Sequence, residues 1–443
     1  METETLTDPV QHELQVPLWG LTSRVAFRFC FVYLGMFCLA TSIITRLFSY
    51  TRVPDLATLR PLRQLISWVA VHILHVRAPL AFGYSSGSHD NMFGWVLAFC
   101  LLFVSVLATC IWSILDRRRE NYVTLHKWFR LFIRFSLAGQ MLNYGMFKVI
   151  PVQMPFPHLH RLLEHFGDFY PMGILWASIG ASPAYEIFAG CGEVFGGLLL
   201  IVPRTATFGA LVCLAVTTHV FVLNMTYDVP VKLFSFHLIL LSLFLLAPDV
   251  PRLINFFFLN RTTAPAAQAR LFSTRRANRL ALTVQVLLGL WLVGMNTYCD
   301  RQYWYMHGGG QPKSPLYGIW EVDQQTIDGH LRSPLLNDYG RWRRVIFDFH
   351  NRVTFQRIDD SFAHHVVTIN DKDKTLVFTD DVNKNWKANF TFARDAPSQL
   401  TLDGSLDGHK THLQLRLVDL NQFVLVNRGF HWIQEQITAF SDP

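Results

Sequence analysis

Five ionisable side chains stand where a chain this apolar has least reason to carry them. Lys148, Glu186, Glu193, His219 and His237 all lie in or at the ends of apolar segments between Lys127 and Pro248. An ionisable group in hydrocarbon costs about 3 kcal/mol on insertion scales, so a bundle that keeps five is expected to use them. Tyr144 and Lys148 are four residues apart and share one helix face. Glu186 and Glu193 are seven apart, close to two helical turns, and share another. A lysine at membrane depth needs a counter-charge, which Glu193 or Glu186 can supply. Two histidines near such a pair can relay protons or hold a ligand. Asn224 closes one segment, and Tyr227, Asp228 and Lys232 follow in the next loop.

The candidate ligand-binding set is therefore Tyr144, Lys148, Glu186, Glu193, His219, Asn224, Asp228 and His237. Glu193, His219 and His237 are the candidates for catalysis. Each also has a structural reading. Lys148 and Glu186 can snorkel to an interface, and either histidine can be satisfied by a backbone carbonyl or a hydroxyl. Glu193 is the deepest and the hardest to assign to packing alone.

The elements that must position these groups follow from composition. Of 443 residues 51% are hydrophobic, 37 are Phe, and only 16% are charged, the profile of a polytopic membrane protein with a soluble appendage. The net charge of +7 does not indicate nucleic acid, because the arginines cluster at the ends of apolar segments. The seven cysteines (30, 38, 100, 110, 191, 213 and 299) fall in or beside apolar segments, with no CxxC and no disulfide or metal framework.

Residues 1 to about 23 read as a polar leader, and residues 1–126 as this leader plus two extra transmembrane helices. About seven spans are expected: 23–47, 91–115, 127–150, 184–201, 205–224, 232–247 and 280–298. LISWVAVHILHV, within the loop 48–91, is too short to cross and reads as an interfacial or re-entrant helix. Leu159, Leu162, Leu163 and Phe166 recur at helical spacing and predict a short amphipathic helix. Gly190, Gly192, Gly196 and Gly197 allow close helix approach.

Loops 116–130 and 252–279 are the richest in arginine. Seven spans place both on one side with the N-terminus, which the positive-inside rule makes the cytoplasm, here of a bacterial inner (plasma) membrane. Arg52, Arg60, Arg63 and Arg77 on the other side conflict with the rule, which long loops obey weakly. The polar cluster then falls in the outer half of the bundle, on the side of the C-terminal domain.

After residues 259–307, a basic loop and the last span, the chain changes character. Residues 308–443 read as eight or nine short alternating strands, from GIWEVDQQTI to QFVLVN, with turns at Asp-Gly, Asn-Asp-Lys and Asp-Asp-Val-Asn. That spacing suits an antiparallel up-and-down barrel. Gly318-Ile319-Trp320 resembles the opening of lipocalin-like barrels.

The run RFSLAGQMLNYGMFKVIPVQMP, followed by AYEIFAGCGEVFGGLLLIVPRTA and YDVPVKLFSFHLILLSLFLLAPD, resembles the DoxX-like family of four-helix membrane proteins over about residues 127–258. Arg134, Gly145 and Lys148 carry the pattern in the first core helix, and Glu193, Gly196, Gly197, Pro203 and Arg204 in the second. The resemblance implies a larger form, with an extra helix pair before the core and a β-domain after it. Some DoxX-like relatives are similar to subunits of quinone-linked oxidoreductases, others to redox-maturation helpers.

Three functions remain open. In the first, the outer polar cluster binds an amphipathic ligand, a quinone or lipid, in an accessory or carrier role, and the barrel caps or receives it. In the second, the chain is a quinone-linked oxidoreductase or a membrane subunit of one, served by a membrane or extracytoplasmic redox partner; no flavin, haem or iron–sulfur motif is present. In the third, it is a structural assembly factor. Binding leads, since it needs fewer absent parts.

Overall fold

The computed structural model describes residues 19–48, 55–77, 80, 90–263, 270–335, 338, 340–380, 383 and 386–433. Most of the expected leader, Arg52 and part of the Asp-Asp-Val-Asn turn lie outside the described residues. The chain divides into two units. One is Met1–Val149 with Ala189–Cys299; the other is Ile150–Phe188 with Asp300–Pro443.

The first unit is helical. Its elements are α1 (Leu21–Ala40), α2 (Ser42–Phe48), α3 (Arg60–His72), α4 (Met92–Leu115) and α5 (Val123–Val149). After α6 (Pro171–Gly180), which belongs to the other unit, come α7 (Pro183–Ile201), α8 (Ala206–Thr226), α9 (Lys232–Leu246), α10 (Val250–Phe257) and α11 (Arg275–His307). Among the described residues six helices are long and apolar enough to cross a membrane: α1, α4, α7, α8, α9 continued through α10, and α11. The seventh expected span is present as α5 but is too polar for that description, because it carries Lys127, Arg130, Arg134 and Lys148.

Those polar groups have a reason to be there. At about 1.5 Å per residue the 27-residue α5 is about 40 Å long, and it forms the post around which the bundle is tied. Lys127 Nζ donates to the carbonyls of Arg270 and Leu271. Arg130 pairs with Asp249 after α9, and Arg134 donates to Gln285 of α11. Gln140 donates to the Ile43 carbonyl in α2, and Asn143 to Asn296 of α11. Where its polar side chains are answered by neighbouring segments, the helix need not face lipid.

Chain directions follow from the same pairings. Arg134–Gln285 and Asn143–Asn296 make α11 parallel to α5. Gly145 lies against Gly190 and Val194, and Gly197 against Ala138 and Leu142, so α7 is antiparallel to α5. The arginine-rich loops meet at one end through Lys127 and through the edge contact of Trp128 with Phe272. The start of α1 joins them there, with Trp19 N bonded to the Glu120 carbonyl. Their grouping with the N-terminal side is as the sequence predicts.

Several boundaries depart from expectation. The first span breaks at Thr41, whose hydroxyl takes the Phe37 carbonyl while its backbone turns extended. The short amphipathic helix after the third span is instead two 3-10 turns, Leu159–Leu162 and Phe166–Asp168, and α6 follows where a loop was read. The expected interfacial helix is α3.

The second unit holds the sheet: β1 (Lys313–Ile327), β2 (His330–Leu331), β3 (Trp342–Phe349), β4 (Arg352–Arg357), β5 (Phe362–Asn370), β6 (Thr375–Thr379), β7 (Lys387–Ala396), β8 (Gln399–Leu406) and β9 (His409–Leu417). β2 is a two-residue extension folded back on β1. The other eight form an antiparallel ring closed by β1 pairing with β9, from Trp320↔Leu417 to Ile327↔Thr411. Closure leaves no edge among these eight. The ninth expected strand, QFVLVN, is a 3-10 turn and the one-turn α12 (Val424–Asn427), lying beyond the closing strand.

Asp328-Gly329 and Asp407-Gly408 all have positive φ, the two-residue hairpin geometry that Asp-Gly favours. One end of the ring is filled by side chains. Trp320 is fully buried, and its indole N–H donates to the Leu316 carbonyl amid Phe347, Phe390, Leu402 and Leu413. Residues 150–188 pack on the outside, with Leu159 against Ile319 and Ile346.

Candidate functional site

The predicted polar cluster resolves into separate arrangements. Its centre is present. α5 and α7 cross at Gly145 and Gly190, where a Cβ on Gly190 would come within 2.7 Å of the Gly145 carbonyl oxygen. That approach sets Lys148 beside Glu193, one turn beyond each glycine. Lys148 Nζ donates to Glu193 Oε1 at 2.7 Å and Oε2 at 2.8 Å, with side chains 9% and 5% exposed. The ammonium also lies 6.0 Å from the Tyr144 ring centre.

The other residues go elsewhere. Glu186 is fully buried, but its Oε1 accepts from Met154 N in the 150–188 segment. His237 turns to α1. Its Nδ1 faces the Leu233 carbonyl at 2.7 Å, which can only accept, so Nε2 accepts from the Tyr33 hydroxyl at 2.8 Å. The ring stacks on Phe37 at 3.6 Å. Asn224 joins the α8–α9 hairpin through Ser235 Oγ at 3.0 Å. Asp228 is exposed and pairs with Lys232 at 2.7 Å. His219 is exposed on α8. Lys148, Glu193 and Tyr144 thus stay together, while Glu186, His219, Asn224, Asp228 and His237 do not join them. Sequence spacing fixes a helix face but not which neighbour that face meets.

Two buried polar centres escaped the sequence reading. Asp90 accepts from the backbone N–H of Lys232 at 2.6 Å and Leu233 at 2.8 Å, and so caps the start of α9. Arg28 is buried on α1 and donates to Tyr122, Ser113 and the Asp116 carbonyl. Arginine in an apolar run followed by a loop Tyr and Asp was the available signal.

A concavity lies in the barrel. A cavity of about 680 Å³ opens at the end opposite the Trp320 plug, among the hairpins β1–β2 and β8–β9 and the ends of β3 to β7. Its wall is a row of four rings. Trp342 stacks on Phe355 at 4.0 Å, Phe355 meets His365 at 5.2 Å, and His365 stacks on Trp386 at 4.4 Å. Asp328, Asp380 and Asp407 stand among the lining residues. His365 Nδ1 is buried 3.4 Å from Asp380, and burial holds this imidazole below its usual pKa. No part of this site was singled out in the sequence, because its residues come from seven strand ends and their connections. Among the described residues no group of three or more His, Cys, Asp or Glu is placed to hold a metal.

Fold and site together define an integral membrane protein: a helical bundle followed by a closed eight-stranded antiparallel barrel whose mouth is open. The chain is similar to the Uncharacterized protein YwoB of Bacillus subtilis (strain 168), with 29% identity over 138 residues, 29% of this chain and 79% of that protein. No family model and no solved structure matches the chain.

Proposed function

We propose that this chain is a membrane-embedded ligand-binding protein in an accessory or carrier role, and that the barrel mouth is where the ligand sits. The cavity of about 680 Å³ carries this reading. It is within the range of small-molecule sites, about 300–1,000 Å³, and sets an aromatic wall among lining residues that are mostly polar or charged. An eight-stranded barrel is wide enough to hold one small ligand. The bundle supports the anchoring half of the reading, with α5 as a seventh crossing and the arginine-rich end in the cytoplasm. Lys148 and Glu193 satisfy each other, and Glu186, Asn224, Asp228 and His237 are each bonded elsewhere, which favours the barrel over the bundle as the ligand site.

Native mass spectrometry of full-length wild type, A363W and E193Q tests it. Ala363 lines the cavity, and a tryptophan there would fill it. A co-purifying small molecule lost in A363W and kept in E193Q is the expected result. An empty wild type, or an adduct indifferent to A363W, would sink the barrel site.

The second reading is a quinone-linked oxidoreductase or a subunit of one, in keeping with the DoxX-like resemblance. The observation favouring it is the buried Lys148–Glu193 pair beside Tyr144. It predicts a quinone adduct lost in E193Q and kept in A363W, and quinone-dependent reduction with a supplied donor.

A further inference from the structure

The end of the bundle where the arginine-rich loops meet carries more positive charge than its carboxylates can answer. Residues 116–130 hold four Arg and one Lys against Asp116 and Glu120, an excess of three. Residues 249–279 hold six Arg against Asp249, an excess of five. Every carboxylate is counted there, paired or not. Setting the leader's four acids, Glu2, Glu4, Asp8 and Glu13, against the sum of eight still leaves four. Asp249 is already held by Arg130 at 3.4 Å, Arg252 at 2.8 Å and the Thr207 hydroxyl at 2.8 Å. Asp116 accepts from the Tyr122 hydroxyl at 2.8 Å. Arg117, Arg118, Arg270, Arg275, Arg276 and Arg279 are exposed, and among the described residues none of them forms an ion pair.

The loops that present these groups are tied down. Arg24 Nη1 donates to the Arg119 carbonyl at 2.6 Å. The Asn278 amide donates to the carbonyls of Phe272 and Thr274 at 2.6 and 2.7 Å, just before α11. Arg261 N donates to the Asn255 carbonyl at 2.8 Å, which holds the chain beside α10. An apolar shelf accompanies the charge. Phe256, Phe257, Phe258 and Leu259 are all exposed, and so are Trp128 and Phe272, whose rings meet edge to face at 5.6 Å. Orientation during insertion explains why arginines gather at this end, but it does not neutralise them once the chain is folded. We infer that this end of the bundle selects anionic phospholipids, independently of the barrel site. Guanidinium groups match phosphate oxygens in geometry as well as charge, and basic groups next to membrane spans attract anionic headgroups. The phenylalanine shelf takes acyl chains, as apolar faces at a membrane interface do. A soluble phosphate would use the charge and leave the shelf bare, and a zwitterionic lipid would bring an ammonium group to a surface of its own sign.

Electron spin resonance on the full chain in phosphatidylcholine bilayers decides this, with spin-labelled phosphatidylglycerol and phosphatidylcholine as the two probes. It reads the share of each lipid held at the protein. The anionic lipid should be favoured by at least about threefold in low salt. In about 1 M NaCl, where the Debye length is about 3 Å, most of that preference should vanish. R275Q/R276Q/R279Q and R117Q/R118Q should each reduce the low-salt preference by about half. These five side chains are exposed and outside any ion pair, so both variants should unfold in detergent as the wild type does. The salt series on the wild type stands whether or not the variants fold. Equal retention of the two lipids, a preference that survives 1 M NaCl, or folded variants that keep the wild-type preference overturns the inference. Tight binding of a single-stranded RNA without any lipid preference also overturns it, in favour of a soluble polyanion.

Discussion

Replacing Glu193 with Gln should destabilise the bundle severely, and the reason is the lysine left behind. Glu193 Oε1 and Oε2 receive Lys148 Nζ at 2.7 and 2.8 Å, with the two side chains 5% and 9% exposed. Removing one partner of a buried pair leaves an uncompensated charge and costs about 3–5 kcal/mol. The glycine crossing fixes α5 and α7, so Lys148 has little freedom to move to another partner. Replacing both, as in K148M/E193L, removes the charges together and should recover most of the loss, since apolar replacement of a whole buried pair is near neutral or stabilising. The assay is a double-mutant cycle by thermal unfolding in detergent and by titration with SDS. E193Q unfolding within about 0.5 kcal/mol of wild type, or a double mutant no better than E193Q, would refute the argument that the pair is closed, buried and mutually dependent.

G190A should cost about 1–3 kcal/mol in the same assay, because the added Cβ meets the Gly145 carbonyl oxygen and Lys148 Cβ at 2.7 Å. D90A should cost about 1–2 kcal/mol by uncapping α9, with D90N recovering part of it in the same melts. Burial, helped by the charges His364 and His158 would carry, lowers the His160 pKa from 6.5 to about 4, so the imidazole is neutral when folded. The unfolded chain takes up that proton first. Stability from this group is therefore present above about pH 6.5 and is lost as pH falls towards 4. Melting of the barrel unit should drop over that window, and H160Q should flatten the profile.

Much of this architecture is written in local pattern. Alternating residues in eight short runs specify eight strands, and Asp-Gly at positions 328–329 and 407–408 specifies two of their hairpins. The ninth run, QFVLVN, has the same pattern yet turns helical, because the ring has already closed at β9. Apolar length gives six spans, while α5 was legible as a helix but not as a central post. Lys148–Glu193 was legible because a buried lysine has few answers. His237 was not: a stacking partner in Phe37, some 200 residues earlier, leaves no trace in spacing. The barrel mouth was invisible for the same reason, since its carboxylates and rings converge only when the sheet closes.

Cryo-electron microscopy of the full chain in a nanodisc, purified without added ligand, looks at the central claim directly. Density for a small molecule against Trp342, Phe355, His365 and Trp386 is the result this account requires. A barrel mouth collapsed on its own side chains, or ligand density beside Lys148 and Glu193 instead, would contradict it.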